Sequence, residues 1–305
     1  MEKKYFGSIL AIMMVSMLNF GFISCGGDDD SSSGGGTPST NVGKLDKDFS
    51  KRIKSVGNIS YYYNDNDLLD YIVSGNHRYD FTYNPNTIVE TRNGKDKVTY
   101  NVSYDGLGHI IKFEFTKVYE EGKNTEKFMC STTLTYGNSE QLTNISGYTN
   151  SEINGVKGFE TISTALNWKN NLLMSVVCDE TEQEEGDEKE QYRETYTYSY
   201  DNANINDYHN KHHQYTPSIV KFLGDEFGDD DLARALAYVG LLGRGPLYLP
   251  VSSEDTDEDV NTNDSKPYYR KYTRNFKYGF NSDGSVSYTN VDGSRTNFTY
   301  EDIKK

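Results

Sequence analysis

The chain has 305 residues, with 46 acidic and 31 basic side chains and a formal net charge of −15. A charge of this sign disfavours binding to nucleic acid and to anionic membrane surfaces, because both require clustered basic side chains. Only 35% of the residues are hydrophobic, but 26 Tyr and 14 Phe supply much of the apolar area. Tyr buries a ring and keeps a polar tip, which suits a thin or hydrated core.

Residues 1–24 are predicted to be a targeting segment. A short basic start precedes a largely apolar stretch from Phe6 to Ile23, the pattern of a signal peptide. About 20 apolar residues could also span a bilayer without cleavage. The end of the segment favours processing, because Phe22-Ile23-Ser24-Cys25 resembles a bacterial lipobox. The resemblance implies that the thiol of Cys25 takes a diacylglycerol and becomes the mature N-terminus.

Residues 25–45 are rich in Ser, Gly, Asp and Thr, which predicts a flexible tether. Its first part, Gly26-Gly27-Asp28-Asp29-Asp30, resembles the acidic surface-export signal of Bacteroidetes-type lipoproteins. The resemblance implies a lipid-anchored protein of the outer membrane, displayed on the cell surface. Acyl chains on Cys25 would supply the membrane contact, so this prediction requires no transmembrane segment.

Strand patterns begin near residue 46, and the clearest lies between Tyr100 and Phe115. Apolar and polar residues alternate on both sides of Asp105-Gly106-Leu107-Gly108. Period-two alternation is typical of a strand with one dry face. An Asp that opens a turn and a Gly that follows it are typical of a short hairpin loop. This stretch is therefore predicted to be a β-hairpin.

Degraded copies of the hairpin recur along the chain. In each copy an aromatic residue ends an alternating run just before a turn residue. The eight aromatic residues are Tyr63, Tyr83, Tyr104, Tyr136, Trp168, Tyr200, Phe280 and Tyr300. Regular spacing of this kind indicates a repeated supersecondary unit. We predict an all-β fold, an antiparallel meander of about 12–14 strands that forms a barrel or a strongly curved sheet.

The connections between strands are predicted to be unequal. Turns after the aromatic residues are short, and we expect longer loops at the opposite strand ends, at residues 120–124, 154–158 and 184–188. The rhythm breaks at about residues 201–269, where Leu232, Leu236, Val239 and Leu242 form a helical apolar stripe that Gly243 can end. Residues 46–305 are thus predicted to be one β-rich domain with a helical insert, packed over a barrel end or against the sheet.

Two repeats carry a resemblance to known proteins. Tyr104-Asp105-Gly106-Leu107-Gly108-His109-Ile110 and Phe280-Asn281-Ser282-Asp283-Gly284-Ser285-Val286 resemble the Tyr-Asp repeat of large β-rich secreted proteins. With the lipobox and the Asp run, residues 50–300 resemble an uncharacterised family of Bacteroidetes lipoproteins, a domain of unknown function with a porin-like β fold. The resemblance implies that fold and transfers no catalytic residues.

The pattern of the strands argues against a membrane pore. A membrane barrel carries a lipid-facing band of aliphatic side chains with aromatic girdles. Here one face is mostly Tyr and Phe, and the other is Lys, Glu, Thr and Ser. We therefore expect a soluble barrel or curved sheet held by its lipid anchor.

Two groups of polar residues have features of metal sites. His209, His212 and His213 lie near Asp207, and close His and Asp can bind zinc. The segment has no further ligand pattern, which favours a polar loop. Asp255, Asp257 and Asp259 alternate like the start of a calcium loop, but Val260 stands where Gly is needed and Lys266 where the bidentate Glu belongs. We therefore predict a solvated loop, no metal site and no cofactor.

Two cysteines remain after Cys25. An exported protein could oxidise Cys130 and Cys178. In a meander their strands would not be neighbours, so two small buried thiols are the favoured interpretation, with a disulfide as the alternative.

The sequence leaves the function open between two hypotheses, and neither is enzymatic, because no two carboxylates stand out as a glycosidase pair. The first is a surface binding module for a glycan or small ligand, suggested by the aromatic density, with Trp168 as a fluorescent probe. The alternative is a structural or accessory lipoprotein that binds another envelope protein through the insert at 201–269.

Overall fold

A computed structural model describes residues 50–94, 96–121, 124–223, 230–260 and 268–303. The predicted signal peptide, Cys25 and the predicted tether lie outside these ranges. Within these ranges the chain forms sixteen strands, two short 3-10 turns, Ile205–Tyr208 and Val220–Phe222, and one helix, α1 (Asp230–Tyr238). The strands are β1 Lys51–Val56, β2 Ile59–Tyr63, β3 Leu69–Ser74, β4 His77–Tyr83, β5 Asn86–Arg92, β6 Asp96–Tyr104, β7 Ile110–Glu121, β8 Asn124–Tyr136, β9 Leu142–Ile153, β10 Val156–Lys169, β11 Leu172–Glu184, β12 Glu190–Ser199, β13 Ser252–Asp259, β14 Tyr269–Phe280, β15 Val286–Val291 and β16 Ser294–Asp302.

The sheet closes into an antiparallel barrel. Every described strand pairs with the strands before and after it in sequence, and β1 pairs with β16 to complete the ring. The predicted all-β meander is confirmed. Because the sheet closes on itself, the fold is a barrel, which was one of the two predicted forms, and not a curved sheet. The strand number of 12–14 was too low, because each of the eight aromatic repeats contributes a complete hairpin of two strands.

The prediction of long loops opposite the aromatic residues was wrong at two of its three places. β9 ends at Ile153 and β10 begins at Val156, so only Asn154 and Gly155 connect them. Their φ angles are 53° and 86°, as in the type I′ turn that matches the twist of paired strands. Likewise, β7 extends to Glu121 and β8 begins at Asn124, so only residues 122 and 123 separate these two strands. Only residues 185–189 form a longer loop between β11 and β12.

Six of the eight repeated aromatic residues bind a main-chain oxygen with the polar tip of the side chain. Tyr136 Oη at the end of β8 donates to the carbonyl of Ile110 at 2.6 Å, and Trp168 Nε1 at the end of β10 donates to that of Leu142 at 2.7 Å. The same bond to the preceding strand recurs at Tyr63, Tyr83, Tyr200 and Tyr300. We call this contact the aromatic latch. It explains the repeated motif as a structural device.

Irregular pairing accompanies the latches. The register shifts between Tyr62 and Tyr63, between Thr135 and Tyr136, and between Asn167 and Trp168. A β-bulge bends its strand and turns a side chain in a new direction. The shift therefore coincides with the place where the aromatic side chain reaches back across the preceding strand.

The insert begins after β12 and ends before β13, so it comprises residues 200–251. Its predicted end at residue 269 was wrong, because β13 lies within the predicted range. α1 ends at Tyr238, and Gly240, with a φ of 79°, follows the helix where Gly243 was expected to end it.

The described residues of the insert, 200–223 and 230–251, lie inside the barrel. Tyr61 Oη on β2 donates to the carbonyl of Ala235 in α1 at 3.2 Å, and Tyr198 Oη on β12 donates to that of Ile219 at 3.1 Å. From the same insert, Gln214 Oε1 accepts from the Val286 amide at 3.0 Å. Contacts with β2, β12 and β15 reach different parts of the ring. We call these described residues, 200–223 and 230–251, the plug.

The main apolar core is formed between the plug and the inner face of the barrel. Leu232 and Leu236 of α1 are fully buried, as are Tyr79 and Ile88 of the wall. Burying one such aliphatic side chain stabilises a fold by about 1.5–3 kcal/mol. The plug therefore supplies much of the apolar surface that closes the interior.

The outer face of the barrel is charged. Arg193 Nε lies 2.7 Å from Asp179 Oδ1, and Lys112 Nζ lies 2.7 Å from Glu114 Oε1, all four on outward positions. Lysine or arginine at mid-membrane on a lipid-facing wall costs about 2–4 kcal/mol. The outer wall is therefore suited to water. Within the described part of the chain, none of the helices has the length and apolar character to cross a membrane.

Candidate functional site

The two ends of the barrel differ. The plug and the aromatic latches occupy one end, which we call the plugged end; the tight hairpin turns lie at the other, the open end. Along β11, residues on both faces become half-buried from Val177 toward Gln183, and Glu190–Glu194 at the start of β12 are half-buried or exposed. Solvent therefore reaches the inner wall at the open end.

Carboxylates line this inner wall. Cys178 pairs with Glu194, and Glu194 pairs with Asp257, so these three side chains share the inner face of β11, β12 and β13. Successive side chains of a strand point to opposite faces of the sheet, so every second residue along these strands lies on the same face. The inward acidic residues are Glu160, Glu180, Glu182, Glu190, Glu194, Asp255, Asp257 and Asp259.

A cavity of about 210 Å³ lies against this wall. The plug contributes Lys221 and Phe222, and the wall contributes both carboxylates and aromatic rings. We call this cavity the acidic chamber, lined by Ile162, Cys178, Glu180, Tyr192, Glu194, Lys221, Phe222, Asp257 and Tyr268. It also borders Asp179, Arg193 and Glu258, which occupy outward positions of the same strands. A second cavity of about 460 Å³ shares Lys221 and is bounded by Asp255, Arg274 and Phe276 among others.

Lys221 connects the plug to the acidic wall. Its Nζ lies 3.7 Å from Glu194 Oε1 and 3.7 Å from Asp255 Oδ2. Asp255 is 1% exposed and also accepts a bond from Arg274 Nε at 2.6 Å. Two cations therefore compensate the buried carboxylate, as a buried charge requires.

Glu194 has a perturbed acidity. Burial raises the pKa of Glu194, and the neighbouring Asp257 carboxyl raises it further, against the lowering effects of a hydrogen bond from Tyr196 and the charge of Lys221. Oδ1 of Asp257 is buried without a donor among the described residues. Burial and the neighbouring carboxyl thus make Glu194 hold its proton more readily than an exposed glutamic acid does. The chamber can thus offer both hydrogen-bond donors and acceptors.

The histidines considered for zinc fasten the plug. His212 Nε2 lies 3.2 Å from the carbonyl of Asp283, and His213 Nδ1 lies 3.1 Å from that of Gly245. His209 forms a bridge with Tyr248. Across the part of the chain that the structure describes, no group of three His, Cys, Asp or Glu is placed to hold a metal.

The prediction of a solvated loop at Asp255, Asp257 and Asp259 was wrong. These residues lie on β13, which pairs with β12 and β14. Their alternation is the period of a strand, and it directs all three to the inner wall. Lys266 lies outside the described residues.

Both remaining cysteines are free. Cys130 on β8 is buried, and burial raises the pKa of its thiol. Cys178 on β11 is separated from it by β9 and β10, so the two thiols are unpaired as predicted. The prediction that both are buried was wrong for Cys178, which is half-buried. Trp168 lies in a latch at the plugged end of β10 and does not line the acidic chamber.

The sequence missed Lys221 and Glu194 as members of one site. Lys221 lies in the plug and Glu194 on β12, and only the folding of the plug into the barrel joins them. The plug was also expected to be a contact surface for another protein. Its apolar residues, such as Leu232 and Leu236, instead face the barrel interior.

No protein-family model and no curated protein matches the chain. Two solved structures with a similar fold are porin-like proteins. One, from Bacteroides vulgatus, is 12% identical and covers 82% of this chain and 99% of its own, with a TM-score of 0.48. The other, from Bacteroides uniformis, is 15% identical and covers 84% of this chain and 94% of its own, with a TM-score of 0.44.

Proposed function

We propose that this protein is a lipid-anchored protein of the outer membrane that binds a small polar ligand, such as a short glycan, in the acidic chamber. The observation that carries the proposal is the convergence of Lys221 from the plug with Glu194 and Asp257 from the wall around one partly enclosed cavity. A closed antiparallel barrel is also the architecture of outer-membrane porins.

The chemistry of the lining suits a polyhydroxylated ligand. Carboxylate oxygens of Glu194 and Asp257 can accept hydrogen bonds from hydroxyl groups, and the ammonium of Lys221 can donate them. Tyr192 and Tyr268 add aromatic faces to the same cavity. At about 210 Å³, the chamber is below the roughly 300–1,000 Å³ of pockets for drug-sized ligands. A ligand of one or two sugar rings is the scale we infer.

The lipid anchor would connect to the barrel at its plugged end, opposite the mouth of the open end. Lys51, at the start of β1, pairs with Asp302 and binds Asp283 at 2.7 Å, in the loop that follows Phe280 at the plugged end. A chain that runs from acylated Cys25 through the predicted tether would enter the barrel here. The tether would then leave the mouth of the open end unobstructed.

Calorimetric titration of the mature chain with a panel of monosaccharides and disaccharides tests the proposal. We expect at least one sugar to bind, and we expect Asp257→Asn to weaken the affinity for that sugar tenfold or more. Glu254→Gln is the matched control, since Glu254 lies on the same strand, points outward and does not line the chamber.

Two results would contradict the proposal. One is the absence of heat and of any melting shift across the panel, and the other is equal affinity in the Asp257→Asn and Glu254→Gln variants. Circular dichroism on each variant confirms that the barrel is intact.

A further inference from the structure

β14 extends beyond the strand on one of its sides. It runs from Tyr269 to Phe280 and pairs with β13 from Tyr269 to Asn275. On its other side, β15 pairs with it only from Phe276 onward. Among the described residues, the stretch from Tyr269 to Thr273 therefore has a strand neighbour on one side only.

The direction of the main-chain groups follows from the bonds at either end of this stretch. Phe276 donates to the carbonyl of Val251 at 2.8 Å, so the even-numbered residues bond toward β13. Asn275 instead bonds with Asp292 on the other side, where the Asp292 amide donates to the Asn275 carbonyl at 3.1 Å. Because the direction alternates along a strand, the amides and carbonyls of Tyr269, Lys271 and Thr273 point to the open side. We call these three residues the free edge.

The free edge is accessible to a partner. All residues from Tyr268 to Thr273 are exposed, and Tyr269 is 58% exposed despite its aromatic ring. Six consecutive exposed positions mean that neither face of the strand is covered. Five residues at about 3.3 Å each give roughly 17 Å of edge, the length of an ordinary strand.

The charge of the stretch selects a kind of partner. Tyr269–Phe276 carries Arg270, Lys271 and Arg274 and no carboxylate, in a chain with a net charge of −15. Lys271 and Arg274 already bind Glu254 and Asp255 on β13, but each has further donors. Lysine on an edge is also a common means of preventing indiscriminate pairing. Such an edge repels a basic strand and a second copy of itself, and it attracts an acidic one.

We propose that the free edge of β14 binds an extended acidic segment of another polypeptide by strand addition. Main-chain bonds at Tyr269, Lys271 and Thr273 supply the affinity, as in other β-augmentation complexes. Opposite charges across the new strand pair supply the selectivity. Tyr269, Lys271 and Thr273 do not line the acidic chamber, so the proposal does not rest on ligand binding there.

Amide hydrogen exchange on the mature chain tests the geometry directly. We expect fast exchange at Tyr269, Lys271 and Thr273 and slow exchange at Arg270 and Tyr272. A seven-residue peptide that alternates Glu with Val should slow the three odd-numbered amides tenfold or more. Protection of those amides in the isolated monomeric chain, or no protection by the peptide, overturns the proposal.

A second pair of measurements tests the selectivity and the bonding mode. The same peptide with Lys in place of Glu should bind at least tenfold more weakly, and equal binding overturns the assignment of an acidic partner. Thr273→Pro removes one outward amide, which the barrel does not use, and should weaken binding of the Glu peptide tenfold. Thr273→Val retains the amide and is the matched control. An equal loss of peptide binding in both variants overturns strand addition. Unchanged melting confirms that each variant is folded.

Discussion

Lys221 Nζ in the plug lies 3.7 Å from Asp255 Oδ2 on β13, where Arg274 Nε approaches the same oxygen at 2.6 Å. One buried carboxylate thus joins the plug to the barrel wall. Asp255 was identified in the sequence only as part of a failed calcium motif. Its position indicates a role in holding the interior together.

Replacing Asp255 should therefore destabilise the fold. Asp255→Ala leaves Arg274 and Lys221 without their shared partner, and breaking a buried ion pair costs about 3–5 kcal/mol. We expect the low end of that range, since the side chain of Arg274 remains about one-third exposed. Urea unfolding measures the loss. The outward neighbour provides the control: Glu254→Ala should change stability by less than about 1 kcal/mol. Similar losses in the two variants would refute this role of Asp255.

The aromatic latches are predicted to stabilise the barrel individually. Tyr136→Phe keeps the ring and removes the bond to the Ile110 carbonyl, with an expected loss of about 1–3 kcal/mol because a main-chain acceptor is left unsatisfied. Tyr62→Phe, at an exposed position on the outer face, should cost almost nothing. The denaturant midpoints of the two variants measure this difference in stability. Equal midpoints would show that the latch contributes no stability.

The seventh repeat provides a natural variant of the latch. Phe280 has no hydroxyl, and Tyr278, two residues earlier, donates to the Pro250 carbonyl at 2.7 Å instead. We therefore expect Tyr278→Phe to cost about as much as Tyr136→Phe, roughly 1–3 kcal/mol. Phe280→Tyr should bring no gain in the free energy of unfolding. A stabilising Phe280→Tyr substitution would contradict this assignment.

Glu194 predicts a dependence of stability on pH. Its pKa in the folded chain is raised above the ordinary value of 4.5, chiefly by burial, so the folded chain binds this proton more tightly than the unfolded chain. The resulting stabilisation is complete below the ordinary pKa and is lost as the pH rises through the raised value. Melting temperatures measured from pH 4 upward should fall less steeply for Glu194→Gln than for the native chain. Glu254→Gln should follow the native curve, and parallel curves for all three would exclude Glu194 as the source.

Lipid anchoring at Cys25 stays a prediction from the sequence. Cys25→Ser removes the thiol that would take the diacylglycerol, and we expect the protein to leave the outer-membrane fraction. Mass spectrometry of the mature N-terminus checks the acyl chains on the native protein. Cys130→Ser is the matched control, since its thiol lies within the barrel wall. Retention of both variants in the membrane fraction would exclude Cys25 as the anchor.

The sequence by itself determined the hairpin repeat, the all-β class and the helical insert, because alternation and turn residues act over a few neighbouring positions. Asn154-Gly155 even specified a two-residue turn that a loop prediction overlooked. Closure was not encoded locally, since it depends on β1 meeting β16 from the far end of the chain.

The tertiary structure alone decided what the interior contains. The apolar stripe of the insert indicated burial but not against which surface, and the barrel enclosed it. The acidic residues on β11–β13 alternate with other polar residues, so hydrophobic pattern could not say which face points inward. Strand register and barrel curvature determine which face of these strands points inward. They also place Glu194 and Asp255 beside Lys221 of the plug. The Tyr-Asp repeats are therefore informative about construction, whereas the candidate binding surfaces arise from contacts between distant parts of the chain.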